Sequence, residues 1–141
     1  LHYKTDTFAS SYIKNNGDGT FTVIPLPSLA QLSNINDMIV KDFNADGFLD
    51  VLAVENLYVS EIETPRNDAG TGLLLLGNGK NDFLVKRGAE IGFYVPNDAK
   101  KISQIKINNQ NGILVGNNNA RLQYFEMNST NKGNTHPLTV K

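Results

Sequence analysis

The amino-acid sequence predicts an all-β protein, and two observations support this prediction. Short apolar runs, many of them rich in β-branched residues, recur along the chain and are separated at close intervals by Asn-Gly pairs. Asn and Gly tolerate positive φ and are common in tight hairpin turns, and apolar runs between such turns are typical of strands. Residues that favour helices are sparse. The length of 141 residues suits one domain.

The turn residues indicate where each predicted strand ends. Pro25 and Pro27 end the second strand because proline cannot donate to a sheet ladder. The polar connection 61–69, which contains Pro65, is the longest predicted loop. The predicted strands are 8–14, 20–24, 38–42, 50–58, 72–76, 82–86, 101–107, 112–116 and 122–127.

The chain contains an internal repeat. One constant offset in residue number aligns 12–17 with 74–79, and the same offset places Asn56 on Asn118. A unit of this size has room for four strands and their connections, which is the content of a β-propeller blade. Propellers close with about four to eight blades, so two blades leave sheet edges open. We therefore expect either a fragment of a larger propeller or a chain that self-associates through open blade edges.

One loop, residues 42–50, has the pattern of a metal site. Oxygen-bearing side chains recur at alternate positions, and Gly47 permits a sharp turn around an ion. Ca²⁺ takes about six to eight oxygen ligands, which a short loop can supply. The alternative interpretation is an acidic surface turn. The predicted Ca²⁺ ligands are Asp42, Asn44, Asp46, the backbone carbonyl of Phe48, and Asp50.

This loop differs from an EF-hand. The twelfth position counted from Asp42 is Ala53, which cannot ligate a metal as the EF-hand glutamate does. The flanking runs 38–40 and 51–54 have the apolar, β-branched composition of buried strands. The sequence therefore predicts a strand–loop–strand site with Ca²⁺ as a structural ion.

The second copy of the repeat lacks the predicted ligands. When the two copies are aligned as above, no carboxylate stands at the matching positions, and a lysine there would repel a cation. We therefore expect one calcium ion rather than two. The matching residues are Gln104, Lys106, Asn108 and Gly112.

Two segments resemble the FG-GAP (VCBS-type) repeat of integrin α-chains and many secreted bacterial proteins. Residues 15–21 resemble the N-x-G-x-G-x-F hairpin of that family, and residues 40–56 resemble its calcium segment. The resemblance implies four-stranded antiparallel propeller blades, usually extracellular, with structural Ca²⁺. It further implies a secreted or cell-surface location, either bacterial extracellular or periplasmic.

A second resemblance concerns the end of the chain. Residues 112–125 resemble the last propeller segment of ASPIC/UnbV-type proteins, and residues 134–140 resemble the start of the small β domain that follows there. These resemblances imply a division into four parts. The expected parts are the last strands of a preceding blade (1–35), a complete blade with the calcium loop (36–90), a degenerate blade without a calcium site (91–128), and a linker with the start of a following β domain (129–141).

Composition argues against several functional classes. The net charge of −1 gives no electrostatic case for nucleic-acid binding, and no apolar run reaches the roughly 18 residues that suggest membrane insertion. The chain has no cysteine and only two histidines, His2 and His136, and no serine lies in a G-x-S-x-G motif. We therefore expect no enzyme activity.

The expected function is non-catalytic adhesion or ligand binding, with an unidentified protein or carbohydrate as the ligand. Binding residues favour loops on a rigid scaffold, so a ligand is most readily placed at 61–69 and at Phe93 and Tyr94. The alternative is an accessory propeller part of a carbohydrate-active enzyme such as a polysaccharide lyase. Glu61, Glu63 and Asp68 are the carboxylates that such chemistry could use, although in a polar loop they also suit a solvated role.

Overall fold

The computed structural model describes residues 2–127 and 138–140, which form ten strands and two short 3₁₀ helices. The helices are Ser28–Gln31 and Gly88–Ile91. The strands are β1 (Ser11–Asn15), β2 (Phe21–Pro25), β3 (Ile35–Lys41), β4 (Asp50–Glu55), β5 (Leu73–Gly77), β6 (Phe83–Arg87), β7 (Ala99–Ile107), β8 (Gln110–Asn117), β9 (Gln123–Met127) and β10 (Leu138–Val140).

The strands form three antiparallel sheets, which confirms the all-β prediction. β1 and β2 form a hairpin, β3 to β6 form a four-stranded sheet in chain order, and β7 to β10 form a second such sheet. Each four-stranded sheet is open at its edges. Across the described residues, no helix is long and apolar enough to cross a membrane.

The repeat is visible in the strand boundaries. The offset that aligns the two copies in sequence carries β1 onto β5 and β2 onto β6, and both ends of each strand coincide. The β1–β2 hairpin therefore corresponds to the second half of the β3–β6 sheet. The expected division into four parts stays a prediction.

The end of the described chain lies in the last sheet. β10 pairs with β9, with Leu138 opposite Met127 and Val140 opposite Phe125. The sequence predicted a linker and the start of another β domain over 129–141. Most of that segment lies outside the described residues.

The β3–β6 sheet buries apolar side chains on both faces. Successive residues of a strand point to opposite faces, so β4 and β5 carry apolar residues at consecutive positions. One face packs against the β7–β10 sheet, where the Phe93 and Phe125 ring centroids are 4.7 Å apart. The other face packs towards the first hairpin, where Tyr12 contacts Phe83 edge-on. The buried apolar side chains of β4 and β5 are Leu52, Val54 and Leu74 on the first face, and Ala53, Leu73 and Leu75 on the second.

Candidate metal centre

The 42–50 loop joins the end of β3 to the start of β4, and its polar side chains turn inward. The Asp46 N–H faces both Asn44 Oδ1 at 3.0 Å and Asp42 Oδ1 at 3.3 Å. The Gly47 N–H donates to Asp42 Oδ2 at 2.9 Å, and the Phe48 N–H donates to Asp46 Oδ1 at 2.8 Å. Three of the predicted ligand side chains therefore converge on one short stretch of backbone.

The third carboxylate of the loop, Asp50, is completely buried at the start of β4. Its Oδ2 accepts the Phe43 N–H at 2.8 Å, and its Oδ1 accepts the Gly77 N–H at 2.9 Å. This side chain ties the start of the loop to the end of β5. Gly77 is needed at this junction because a Cβ there would lie 2.3 Å from the Leu49 carbonyl oxygen.

Electrostatics links the carboxylates of the loop. Burial raises the pKa of Asp50 above its usual value, against the opposing effect of its two backbone hydrogen bonds, and the charges of Asp46 and Asp42 raise it further. Like charges disfavour the ionised form of a neighbouring acid. A divalent cation in the loop would reverse this effect because it favours ionised carboxylates.

The donor chemistry of the loop fits Ca²⁺. Ca²⁺ binds carboxylate, amide and backbone carbonyl oxygens, and a carboxylate oxygen that accepts one N–H keeps a further lone pair for a metal. In the described part of the chain, however, no three His, Cys, Asp or Glu side chains are grouped closely enough to hold a metal. Amide and backbone oxygens, such as those of Asn44 and Phe48, would have to complete the site. Calcium binding therefore stays a prediction.

The matching region of the second sheet has a different shape. β7 and β8 are joined by a tight turn at Asn108 and Asn109, both with positive φ, and Ile107 pairs directly with Gln110. This turn stands where the first copy has the longer 42–50 loop. Of the positions that match the ligands, Gln104 and Lys106 lie within β7, and Gly112 lies within β8.

In the sequence Asn56 stands out only as a position of the repeat, yet in the structure it is a buried hydrogen-bonding centre. Its side-chain oxygen accepts the Ser33 hydroxyl and the Gly70 N–H, both at 2.9 Å. Its side-chain nitrogen faces the carbonyl oxygens of Gly70, Pro96 and Asn97 at 2.9–3.1 Å. In the sequence, the one sign of this hydrogen-bonding role is that an asparagine recurs at the matching position 118 of the second copy.

The other candidate residues are dispersed over the molecule. Glu61 and Glu63 lie exposed in the 61–69 loop. Asp68 pairs with Arg66 at 2.8 Å, and the Arg66 guanidinium lies 4.6 Å from the centre of the Tyr58 ring. Phe93 is fully buried in the core, whereas Tyr94 is half exposed. His136 lies outside the described residues.

We predict that Ala45→Gly stabilises the protein by about 1 kcal/mol. Ala45 has a φ of 60°, and a left-handed conformation costs a residue with a Cβ about 1–2 kcal/mol that glycine does not pay. The gain is reduced because glycine is more flexible in the unfolded chain. Urea unfolding of both proteins measures the difference. A destabilised variant would contradict the strained conformation of this loop.

No family model, curated protein or solved structure matches the chain. The family resemblance therefore rests on the residues of the 15–21 hairpin and the 40–56 segment.

Proposed function

We propose that the chain is a calcium-stabilised segment of an FG-GAP-type β-propeller and serves as a non-catalytic adhesion or ligand-binding module of a secreted or cell-surface protein. The observation that carries the proposal is the convergence of Asp42, Asn44 and Asp46 in a loop whose charges also raise the pKa of the buried Asp50. Such an arrangement favours a cation.

The arrangement of the sheets supports the propeller part of the proposal. The first strands of the two four-stranded sheets, β3 and β7, are adjacent. The Ile102 N–H of β7 donates to Asp37 Oδ2 of β3 at 3.2 Å. Asn36 Nδ2 of β3 donates to the Ala99 carbonyl oxygen of β7 at 2.7 Å. A radial arrangement of blades brings the first strands together at the centre. The face-to-face packing of the two sheets fits the same arrangement.

In this proposal Ca²⁺ has a structural role. The ion would offset most of the negative charge of the loop carboxylates. Its ligands would be Asp42, Asn44, Asp46, Asp50 and the Phe48 carbonyl. The loop also contacts the turn after β5, because a Cβ at Gly79 would lie 2.3 Å from the Phe48 ring. The ion would therefore fasten β3, β4 and the β5–β6 turn together.

A binding module is favoured over an enzyme by the position of the carboxylates. Glu61 and Glu63 are exposed to solvent, and Asp68 is held by Arg66. Sugar hydrolysis uses two carboxyl groups that flank the bond to be cleaved, whereas these three side chains lie in a solvent-exposed loop. The ligand of the module would be a protein or a carbohydrate.

Calcium titration by calorimetry tests the proposal. We expect one site for each chain, with a Kd on the order of 10⁻⁴–10⁻³ M as in other extracellular modules. Asp46→Ala is expected to weaken binding by more than about tenfold, since loss of even an outer-shell partner of a metal ligand costs about 10–100-fold in metal affinity.

Asp18→Ala is the matched control for this titration. Asp18 lies in the β1–β2 turn and also accepts a backbone N–H two residues later, from Thr20 at 2.9 Å. Its loss should leave calcium affinity unchanged. Equal binding by the wild type and both variants, or no binding by the wild type, would contradict the proposed site.

A further inference from the structure

An apolar groove lies on the second face of the β3–β6 sheet, beside β1. Its volume is about 590 Å³. Two of its residues on β3, Met38 and Val40, are 49% and 54% exposed. Contiguous exposed apolar surface is typical of an interaction site. The apolar side chains that line the groove are Tyr12, Met38, Val40, Phe48, Leu49 and Val51.

The groove is open because the two faces of the β3–β6 sheet are covered unequally. The first face packs against a sheet of four strands, and Ile39 of β3 is partly buried there. The second face meets the two-stranded β1–β2 hairpin, whose Tyr12 contacts Phe83 of β6, at the far end of the sheet from β3. The β3 residues on this face, Met38 and Val40, are therefore left about half exposed.

The edge of β1 that does not face β2 carries free backbone hydrogen-bonding groups. The Leu26 N–H donates to the Ser10 carbonyl oxygen at 2.9 Å, and the Asn16 N–H donates to the Thr20 carbonyl oxygen at 3.1 Å. Hydrogen-bonded positions alternate along an antiparallel pair, so residues 11, 13 and 15 point their N–H and carbonyl groups away from β2. In the part of the chain that the structure describes, no strand pairs with this edge.

The repeat shows what pairs with the corresponding edge in the second unit. β1 matches β5, and the corresponding edge of β5 pairs with β4, where Val51 lies opposite Leu75. At the end of β5, the Gly77 N–H donates to Asp50 Oδ1 at 2.9 Å. The residue of β1 that matches Gly77 is Asn15. The free edge of β1 therefore has the position that a β3–β4 type of hairpin fills beside β5.

We propose that the apolar groove and the free edge of β1 bind an antiparallel two-stranded β-hairpin, which extends the β1–β2 sheet to four strands. One strand of this hairpin adds to β1 through backbone hydrogen bonds, as in other cases of strand addition to a sheet edge. Apolar side chains on one face of the hairpin cover Met38 and Val40. A carboxylate at the start of the added strand accepts the Asn15 N–H, as Asp50 accepts the Gly77 N–H.

A second copy of the chain fits this surface less well. If β1 paired with β1 of another copy, the two-fold symmetry of the pair would place both Tyr12 side chains on the same face of the joined sheet. The β3–β6 sheets of the two copies would then occupy the same space against that face. The inference rests on the propeller part of the proposed function rather than on calcium binding.

The test is an NMR titration of the full chain with a synthetic peptide of residues 35–55, first in EDTA and then with excess calcium. The peptide contains the β3–β4 hairpin, in which Leu52 and Val54 supply an apolar face and Asp50 supplies the carboxylate. We expect saturable shifts of the β1 amides and of the Met38 methyl group, with a Kd of about 1 mM or below. A control peptide with Leu52→Ser and Val54→Ser should bind about tenfold more weakly.

Two matched pairs of variants locate the binding surface. Ile13→Pro removes an N–H from the free edge of β1, and Val23→Pro removes one from the outer edge of β2, directly opposite. Of these two, Ile13→Pro alone should weaken binding, by about tenfold. Met38→Lys places a charge in the groove, whereas Leu84→Lys places one at an exposed position of β6 outside it. Of this pair, Met38→Lys alone should weaken binding, by about tenfold or more.

Three results would overturn the proposal. They are the absence of saturable shifts at about 2 mM peptide both in EDTA and in calcium, equal effects of the two proline variants, and a wild type that dimerises through β1 without peptide, which would identify a second copy as the occupant. If Ile13→Pro does not fold, the lysine variants decide. Weaker binding by Met38→Lys alone supports the proposal, and equal binding by both overturns it. Calcium binding is measured separately by calorimetry, so the failure of one proposal is distinguishable from the failure of the other.

Discussion

Asp50→Ala is expected to destabilise the protein by about 2–6 kcal/mol. The substitution leaves the Phe43 and Gly77 N–H groups without the carboxylate that accepts both of them, and each unsatisfied buried donor costs about 1–3 kcal/mol. A domain of ordinary stability has only about 5–15 kcal/mol in total. Urea unfolding in the presence of EDTA measures this effect separately from any metal.

The matched control for Asp50 is Asp82→Ala. Asp82 also accepts a backbone N–H, from Phe83 at 2.9 Å, but it is exposed. Water can replace the lost carboxylate there, so the cost should stay below about 1 kcal/mol. Equal destabilisation by the two substitutions would contradict the role of Asp50 as a buried connection between the loop and β5.

Asn56→Ala is expected to cost about 3–5 kcal/mol. Its side chain contacts three separate segments, represented by Ser33, Gly70 and Asn97. Loss of the side chain leaves buried groups unsatisfied at about 1–3 kcal/mol each. Asn56 also has a φ of 87°, which alanine tolerates less well than asparagine does. Chemical denaturation of the variant measures the total.

Two further variants separate the contributions at Asn56. Asn56→Gly removes the same hydrogen bonds but relieves the backbone strain, so it should be more stable than Asn56→Ala by about 1 kcal/mol. Asn118→Ala removes the corresponding side chain of the second repeat, which donates to Asp98 at 3.0 Å and is exposed. We expect a smaller loss there. A loss at Asn118 as large as that at Asn56 would contradict the account.

The strands could be predicted from the sequence because the turn residues define their ends. The hairpin turns at 16–20 and 78–82 contain Asn and Gly, and the observed strands begin and end within a few residues of the predicted boundaries. The end of β4 was predicted at Tyr58 but lies at Glu55. The apolar pattern continues past Asn56, whose positive φ ends the strand.

The loop of the candidate site was evident in the sequence, whereas its connections were not. The spacing of Asp42, Asn44 and Asp46 is local information. The contact between Asp50 and Gly77 joins residues that are distant in sequence. The buried Glu55 likewise accepts hydrogen bonds from the backbone of Thr71 and Gly72. A local sequence pattern does not show which distant residues come into contact, so these contacts could be identified only in the folded structure.

Thermal unfolding with calcium and with EDTA tests the central claim, that Ca²⁺ stabilises the 42–50 loop. A ligand bound only by the folded state contributes RT ln(1 + [L]/Kd). For a Kd on the order of 10⁻⁴–10⁻³ M, about 10 mM calcium contributes about 1.4–2.7 kcal/mol. We predict a rise in Tm of about 4–8 °C that Asp46→Ala reduces by about half or more and Asp18→Ala preserves. An equal Tm with calcium and with EDTA in the wild type would contradict the claim, and the loop would then be an acidic surface turn.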